Sequence, residues 1–191
     1  FELNTMADAL KADKRKDLYF RERATETNVK KVKLDNTKVI AFATHGLLSM
    51  ETQKLGSVVE PALVLTPPDK ATEEDDGLLT ASEIAQLKMN ADFVILSACN
   101  TATGEKNNAE GLSGLAKAFF YAGARSLLVS HWPVESKAAT KLTTTMFKNL
   151  KDNPELSRAE AFRRSMMSLA ANDNFAHPFF WAPFSVVGEG R

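Results

Sequence analysis

The sequence predicts an α/β domain with a mostly parallel central sheet and helices on both of its faces. Short runs that are apolar at nearly every position alternate along the chain with longer amphipathic runs. Strands that are apolar throughout are typical of parallel sheets that helices cover on both sides. The length of 191 residues suits a single domain, spanning residues 1–191, with a complete core.

Apolar runs bounded by polar, proline or glycine residues predict the strands. In chain order they cover residues 38–44, 60–68, 91–98, 124–130 and 184–188. A further short strand is expected at residues 17–20, where the sequence is DLYF. The acidic segment 69–77 is too polar to bury, so we expect a solvated loop there.

Amphipathic runs between the strands predict the helices, and several have recognisable starts. The expected helices cover residues 24–32, 80–89, 111–124, 135–151 and 158–171. Thr25 is expected to cap the first of these helices, and Thr80 with Glu83 predicts a capping box at the second. Ser157 followed by Glu160 predicts a second capping box at the last helix.

Charge and composition argue against several functional classes. Lys and Arg together number 24, as do Asp and Glu, so net charge favours neither nucleic acid nor an anionic membrane as a partner. No apolar run reaches the length of a membrane span and the chain does not start like a secretory signal, so we expect no membrane partner. The single cysteine excludes an internal disulfide and favours the cytoplasm.

We expect neither a cofactor nor a metal. The sequence contains no phosphate-binding loop and no dinucleotide-binding glycine pattern. One cysteine and three scattered histidines give no metal-ligand spacing. The chain starts at Phe1 without an initiator methionine, so we expect it to be the C-terminal part of a longer protein.

Reactive side chains follow three of the predicted strands. His45, Cys99 and His131 each come directly after an apolar run. The carboxyl ends of parallel strands meet at one edge of a sheet, which is where such folds bind their ligands. That edge therefore offers one thiol and two imidazoles.

This set of groups fits a cysteine peptidase. Such an enzyme needs a thiol that ionises, an imidazole that accepts its proton and N–H donors for the oxyanion. Cys99 is the candidate nucleophile and His45 the candidate base, and the amides of Gly46 and Cys99 are the expected oxyanion donors. His45 precedes Cys99 by 54 residues, close to the separation of about 50 in caspases.

Other interpretations of the same residues stay open at this stage. A lone cysteine after a strand is often a small buried side chain, and a histidine and glycine at a strand end often form a turn. His131 is a weaker candidate base because it follows the cysteine and precedes Trp132 and Pro133, which are typical of a rigid turn. His177 is more typical of a packing or turn residue.

Four long blocks of the sequence occur in the order of a known family. They are VIAFATHG (39–46), GLLTASEIAQLKMNADFVILSACNTATG (77–104), GLSGLAKAFFYAGARSLLVSHWPVES (111–136) and HPFFWAPFSVVGEG (177–190). These blocks resemble the CHAT domain, the caspase-like family that is related to separase and often attached to tetratricopeptide repeats. The resemblance runs from about Val39 to the end of the chain. It implies a caspase-like α/β sandwich and a dyad at His45 and Cys99, the pair that the strand ends also indicate.

The resemblance also implies a function. Active members of the family are endopeptidases that cleave protein partners, often after release by a regulatory domain. We therefore expect a protein substrate and an attached or partner regulatory domain, for which tetratricopeptide repeats are the candidate. The family fold further implies that an early strand lies before Phe1. The alternative is a protein-interaction module that keeps the CHAT fold without catalysis.

Two positions depart from the family pattern in a region that affects substrate recognition. His131 and Trp132 stand where the family commonly has Leu-Trp, and Glu135 with Ser136 stands where it commonly has an acidic pair. In separase relatives this region helps to hold a basic side chain before the scissile bond. We expect Glu135, Trp132 and Asn100 to contribute to substrate binding. A glutamate at a helix start is also favoured by the helix dipole alone.

Overall fold

The computed structural model describes residues 2–47, 49–54, 60–72, 74–97, 111–132 and 134–190. The helices are Glu2–Leu10 (α1), Glu26–Lys31 (α2), Ser49–Lys54 (α3), Ala81–Gln86 (α4), Gly111–Ala122 (α5), Ser136–Asp152 (α6) and Arg158–Ala170 (α7). The strands are Val39–Phe42 (β1), Gly46–Leu47 (β2), Ala62–Val64 (β3), Leu78–Thr80 (β4), Phe93–Leu96 (β5), Ser126–Ser130 (β6) and Phe184–Gly188 (β7). Short 3-10 turns lie at Arg21–Arg23 and Pro178–Phe180.

The central sheet contains β1, β5, β6 and β7 in that order. β1 pairs with β5 and β5 with β6 in parallel, whereas β7 runs antiparallel at the edge. Every residue of β5 and β6 is buried, as expected for strands that are covered on both faces. The predicted α/β fold with a mostly parallel sheet is confirmed.

Alternate residues of β5 enter two hydrophobic cores, one on each face of the sheet. Val94 and Leu96 pack in one core with residues of α4 and α5, among them the fully buried Phe119. Phe93 and Ile95 pack in the opposite core with residues of α1, α6 and α7. Truncating a large core side chain costs about 2–5 kcal/mol, so these two cores hold the strand ends firmly in place.

The predicted helix starts form, with one exception. Thr25 caps α2 and Thr80 caps α4, and at α4 the capping box is complete. Ser157 accepts a hydrogen bond from the Glu160 amide at 3.2 Å, as a cap of α7 should. The Glu160 carboxylate, however, binds the Arg163 guanidinium through two hydrogen bonds of 2.7 and 2.9 Å. The prediction of a second capping box is therefore wrong for the bond from the Ser157 amide to the Glu160 carboxylate. A charge-assisted bidentate pair with Arg163 outcompetes that backbone amide.

A small antiparallel sheet is present that the sequence does not predict. β3 lies between β2 and β4 in this sheet instead of joining the central one. Its strands have two or three residues each, which is too short for an alternating pattern to appear in the sequence. The sheet bears on the site because β2 directly follows His45.

The strand expected at residues 17–20 does not form. Phe20 is 40% exposed, and the Tyr19 ring instead contacts the Arg23 guanidinium, whose carbon lies 4.8 Å from the ring centroid. The prediction of a strand relied on these aromatic residues. Their rings lie at the surface instead, where the Tyr19 ring contacts the Arg23 guanidinium.

The acidic segment 69–77 is not uniformly solvated, so the prediction of a fully solvated loop there is wrong. Asp75 and Gly77 are buried. Thr27 donates its amide hydrogen at 3.1 Å and its hydroxyl at 2.5 Å to Asp75 Oδ2. A buried carboxylate is tolerated when it accepts such hydrogen bonds, so an acidic stretch can be anchored to the domain.

Candidate active site

The central sheet aligns the ends of β1 and β5. Their parallel register pairs Phe42 with Leu96, and the Ser97 amide donates to the Phe42 carbonyl at 2.9 Å. His45 lies three residues after Phe42 in the sequence, and Cys99 lies three residues after Leu96. Cys99 itself lies outside the described residues.

β3 holds the backbone of His45. The Val64 amide donates to the His45 carbonyl at 2.8 Å, and the Thr44 hydroxyl donates to the Val64 carbonyl. The His45 side chain is exposed. An imidazole on a fixed backbone with an exposed ring is available to a group at the neighbouring strand end.

The Gly46 amide points away from β3. Residues of an antiparallel pair alternate between hydrogen-bonded and non-hydrogen-bonded positions. The bond from Val64 to His45 makes that pair a hydrogen-bonded one, so the next pair, Gly46 opposite Leu63, is not. The small sheet therefore does not use the Gly46 N–H, and β2 is an edge of that sheet. An amide that no neighbouring strand uses is free of one competing acceptor, which an oxyanion donor requires.

His131 follows β6 at the same edge but is held differently. Its amide donates to the Pro183 carbonyl at 2.9 Å, and its ring Nε2 lies 3.0 Å from Ser185 Oγ on β7. The side chain is half-buried. These contacts attach His131 to the edge strand and commit one ring nitrogen to a hydroxyl, which favours His45 as the candidate base.

Aromatic side chains line the surface beyond β6. The Trp132 ring is half-buried, and its Nε1–H donates to the Phe179 carbonyl at 3.2 Å. The two ring centroids lie 6.3 Å apart, and Phe179 is 48% exposed. His177 Nδ1 accepts from the Phe179 amide at 3.2 Å and so caps the 3-10 turn, which confirms the predicted turn role of His177.

Glu135 occupies the N-cap position of α6. Its carbonyl accepts the Ala138 amide at 2.9 Å, while its exposed side chain makes no capping hydrogen bond. The carboxylate is therefore presented to solvent at a helix start, where the dipole favours negative charge. Asn100, the third expected substrate-binding residue, lies outside the described residues.

Sequence reasoning missed one carboxyl at this edge. Glu2 begins α1, and its Oε1 is buried without a hydrogen-bond partner. Burial raises the pKa of the Glu2 carboxyl, and a hydrogen bond with the Ser97 side chain partly offsets that rise. No sequence signal could have found Glu2, because an acidic residue in a first helical turn is ordinary and the contact to Ser97 spans almost half of the chain.

A groove lies at the other end of the sheet. It encloses about 930 Å³, and its lining includes Lys31, Leu34 and Lys88. Leu34 precedes β1 and Lys88 precedes β5, which places the groove at the amino ends of the strands. No predicted site residue lines it.

The described ranges contain no group of three or more His, Cys, Asp or Glu side chains that could hold a metal ion. Within the same ranges, no helix combines the length and the apolar character that crossing a bilayer requires.

Comparison with known proteins gives one family and two relatives. A family model described as CHAT domain matches residues 2–189. Tetratricopeptide repeat protein 28 of Mus musculus is 32% identical over 112 residues, and its counterpart in Homo sapiens is 31% identical over 112 residues. In both cases the match covers 59% of this chain but 4% of the relative. The chain thus corresponds to a small part of two much longer repeat proteins.

Proposed function

The chain belongs to the CHAT domain family, and from that premise we propose that it is a cysteine endopeptidase of the caspase and separase type. Cys99 is the proposed nucleophile and His45 its general base. The observation that supports this proposal is the register of β1 and β5, because His45 and Cys99 each come three residues later in the sequence than the paired positions Phe42 and Leu96. Side chains at the carboxyl ends of adjacent parallel strands are the usual source of catalytic groups in open α/β sheets.

The proposed reaction needs only groups of the protein and water. His45 accepts the thiol proton as Cys99 Sγ forms a bond to the scissile carbonyl carbon, and the carbonyl electron pair moves to oxygen. The amides of Gly46 and Cys99 stabilise that oxyanion, each by about 3 kcal/mol. The imidazolium then gives its proton to the leaving amine as the carbon–nitrogen bond breaks. Water, deprotonated by His45, hydrolyses the thioester and restores the thiol.

Substrate recognition is assigned to the surface around the edge. We place the substrate peptide beside Trp132 and Glu135, with Asn100 next to the nucleophile. The exposed Phe179 ring and the Trp132 ring favour an apolar side chain, and the Glu135 carboxylate favours a basic one. An oppositely charged partner would be attracted to that exposed carboxylate mainly through steering, since exposed ion pairs contribute little to affinity.

The relatives and the composition support a proposal for the setting of the reaction. The curated relatives are tetratricopeptide repeat proteins, so we propose an attached or partner repeat domain that regulates access to the site. The single cysteine would stay reduced in the cytoplasm, which is the compartment we propose.

The test is cleavage of cellular proteins followed by labelling of new N-termini. Wild-type protein should produce new termini that disappear with Cys99→Ala and His45→Ala and persist with His131→Ala. New termini at the wild-type rate with Cys99→Ala would refute the proposal. No new termini with any variant, together with a thiol of ordinary reactivity, would favour the interaction module without catalysis.

A further inference from the structure

Glu26 is a buried charged residue that lies away from the catalytic edge. Its exposure is 0%, which is rare for a glutamate unless its oxygens are paired. Oε2 accepts the amides of Asp76 and Gly77, each at 2.7 Å. Oε1 lies 3.0 Å from Lys30 Nζ. Glu26 therefore ties α2 to the two residues that lead into β4.

Lys30 extends this attachment to α4. Its Nζ lies 2.7 Å from Glu83 Oε1 and 2.5 Å from the Glu74 carbonyl. Glu83 closes the capping box with Thr80, the last residue of β4. We call Glu26, Lys30 and Glu83 the anchor cluster. Because it contacts the chain on both sides of β4, the cluster fixes the position of that strand.

The start of β4 fits closely against the chain that leaves β3. The Leu65 amide donates to the Gly77 carbonyl at 2.8 Å. Gly77 has a φ of +89°, and a Cβ at this position would lie 2.9 Å from the Pro67 Cα. Only glycine fits both the conformation and the space. The two amides that Glu26 holds therefore belong to a segment with little freedom to move.

β3 connects β4 to the candidate base. Leu78 of β4 lies opposite Val64, whose amide donates to the His45 carbonyl at 2.8 Å. The preceding residue, Leu63, lies opposite Gly46. A continuous set of backbone contacts thus runs from the Glu26 carboxylate through β4 and β3 to the two residues that carry the candidate base and oxyanion donor.

We propose that Glu26 is a positioning residue for His45 and Gly46, acting through β4 and β3. The catalytic consequence rests on the proposed endopeptidase function. Without the carboxylate, the amides of Asp76 and Gly77 lose their buried acceptor. The small sheet packs in only one of the two cores, through Leu63 and Leu79, whereas the central sheet packs in both. We therefore expect the loss of the carboxylate to increase local opening of the small sheet more than that of the central sheet.

The test compares two double variants that differ only in the acceptor. Glu26→Ala/Lys30→Met removes the acceptor, whereas Glu26→Gln/Lys30→Met keeps a carbonyl oxygen for the two amides. Lys30→Met is present in both, so that the two variants carry the same net charge and both lack the Lys30 contacts to Glu83 and to the Glu74 carbonyl. Hydrogen exchange of the Val64 amide reports opening at His45, and that of the Ile95 amide reports the central sheet. The rate of cleavage of a peptide substrate reports catalysis.

With Glu26→Ala/Lys30→Met we expect Val64 exchange to accelerate about tenfold or more while Ile95 exchange stays near its original rate. Cleavage should slow by a similar factor, and Glu26→Gln/Lys30→Met should restore both. Unchanged Val64 exchange in a folded alanine variant would overturn the inference. So would equal acceleration at Ile95, or failure of the glutamine variant to restore protection.

The role of Glu26 can still be tested if the wild-type protein cleaves no peptide or if the alanine variant does not fold. If wild-type protein cleaves no peptide, the proposed function fails, but the exchange of Val64 still decides whether Glu26 positions His45. If the alanine variant does not fold, Thr27→Val provides a milder loosening, because it removes the 2.5 Å hydroxyl bond to Asp75 next to the held amides. Thr27→Val should accelerate Val64 exchange more than Ile95 exchange, and equal effects would overturn the inference.

Discussion

Two histidines follow strands that end at the same edge of the central sheet, His45 after β1 and His131 after β6, yet their side chains have opposite environments. His45 has a fixed backbone and an exposed ring, for which the described part of the chain offers no hydrogen-bond partner. His131 has its ring nitrogen 3.0 Å from Ser185 Oγ and is half-buried. The small sheet thus presents one imidazole, and the edge strand of the central sheet retains the other.

The difference shows why a sequence position at a strand end does not settle a catalytic role. A general base must have a nitrogen within reach of the proton that it takes. His131 has to give up its contact with Ser185, or use its other nitrogen, before it can act. His45 has no such contact to break among the described residues, so the comparison favours His45 as the proposed base.

The largest expected effect separates the two histidines directly. His45→Ala should lower kcat/KM for peptide cleavage by about 10²–10⁴-fold, the usual contribution of a general base. His131→Ala should change kcat/KM much less, by under about threefold, because one ring nitrogen of His131 is engaged with Ser185 and a general base acts only within reach of the proton that it takes. Steady-state kinetics of both variants checks this, and a greater loss with His131→Ala would reverse the assignment.

The next effect tests the amide next to His45. Gly46→Pro removes the N–H that points away from β3, so kcat should fall by about 10²-fold if this amide holds the oxyanion. The sheet should tolerate the change because the lost donor is on the outer side of an edge strand. Gly46→Ala keeps the donor and is the matched control. Equal kcat values for the two variants would exclude the Gly46 amide from oxyanion binding.

A smaller effect concerns the contact that retains His131. Ser185→Ala should destabilise the fold by about 1 kcal/mol, the net contribution of one hydrogen bond. Chemical denaturation measures that change. Added to His45→Ala, the same substitution should not restore cleavage, because His131 follows β6, not β1. Restored cleavage would mean that a freed His131 can serve as the base.

The smallest effect is a control remote from both histidines. Two hydrogen bonds from Arg163, with a further one from Arg164, lower the pKa of Glu160 on α7 from 4.5 to about 2. A carboxyl whose pKa is lower in the folded state stabilises the fold at pH values above its pKa in the unfolded state. That stabilisation is lost as the pH falls toward about 2. Because the pair is exposed, the contribution should be modest.

Denaturation midpoints of wild-type protein and Glu160→Gln should therefore differ slightly at neutral pH and converge as the pH approaches 2. The NMR signals of the His45 and His131 rings should be identical in the two proteins at neutral pH. A displaced signal of either ring would show that α7 is coupled to the sheet edge, and it would contradict the expectation that this substitution leaves both histidines unchanged.

The central sheet could be predicted from the sequence because its signals are local. The apolar run at 91–98 contains β5, and the run at 124–130 contains β6. The candidate site could be predicted only as far as the strand ends, since His45 follows β1 and Cys99 follows the apolar run that contains β5. The register that pairs Phe42 with Leu96 is a long-range contact that the sequence does not indicate. Thr80 and Glu83 also stand close enough in the sequence for their capping box to be recognised.

The small sheet and its anchor could not be predicted, because they depend on contacts between distant segments. Glu26 accepts the Gly77 amide from 51 residues away. Nothing in its neighbourhood marks it as buried, and a glutamate in a first helical turn is usually solvated. The direction of the Gly46 amide also depends on the pairing with β3, whose three residues give no pattern of their own.

The central claim is that His45, rather than His131, activates Cys99. Because the chain contains one cysteine, the rate of alkylation by iodoacetamide reports that thiol alone. The most direct measurement is this rate as a function of pH for the wild type, His45→Ala and His131→Ala. The account predicts a midpoint well below the ordinary thiol value of about 8.5 in the wild type and His131→Ala, and a return to about 8.5 in His45→Ala. An ordinary midpoint in the wild type, or a return only with His131→Ala, would contradict it.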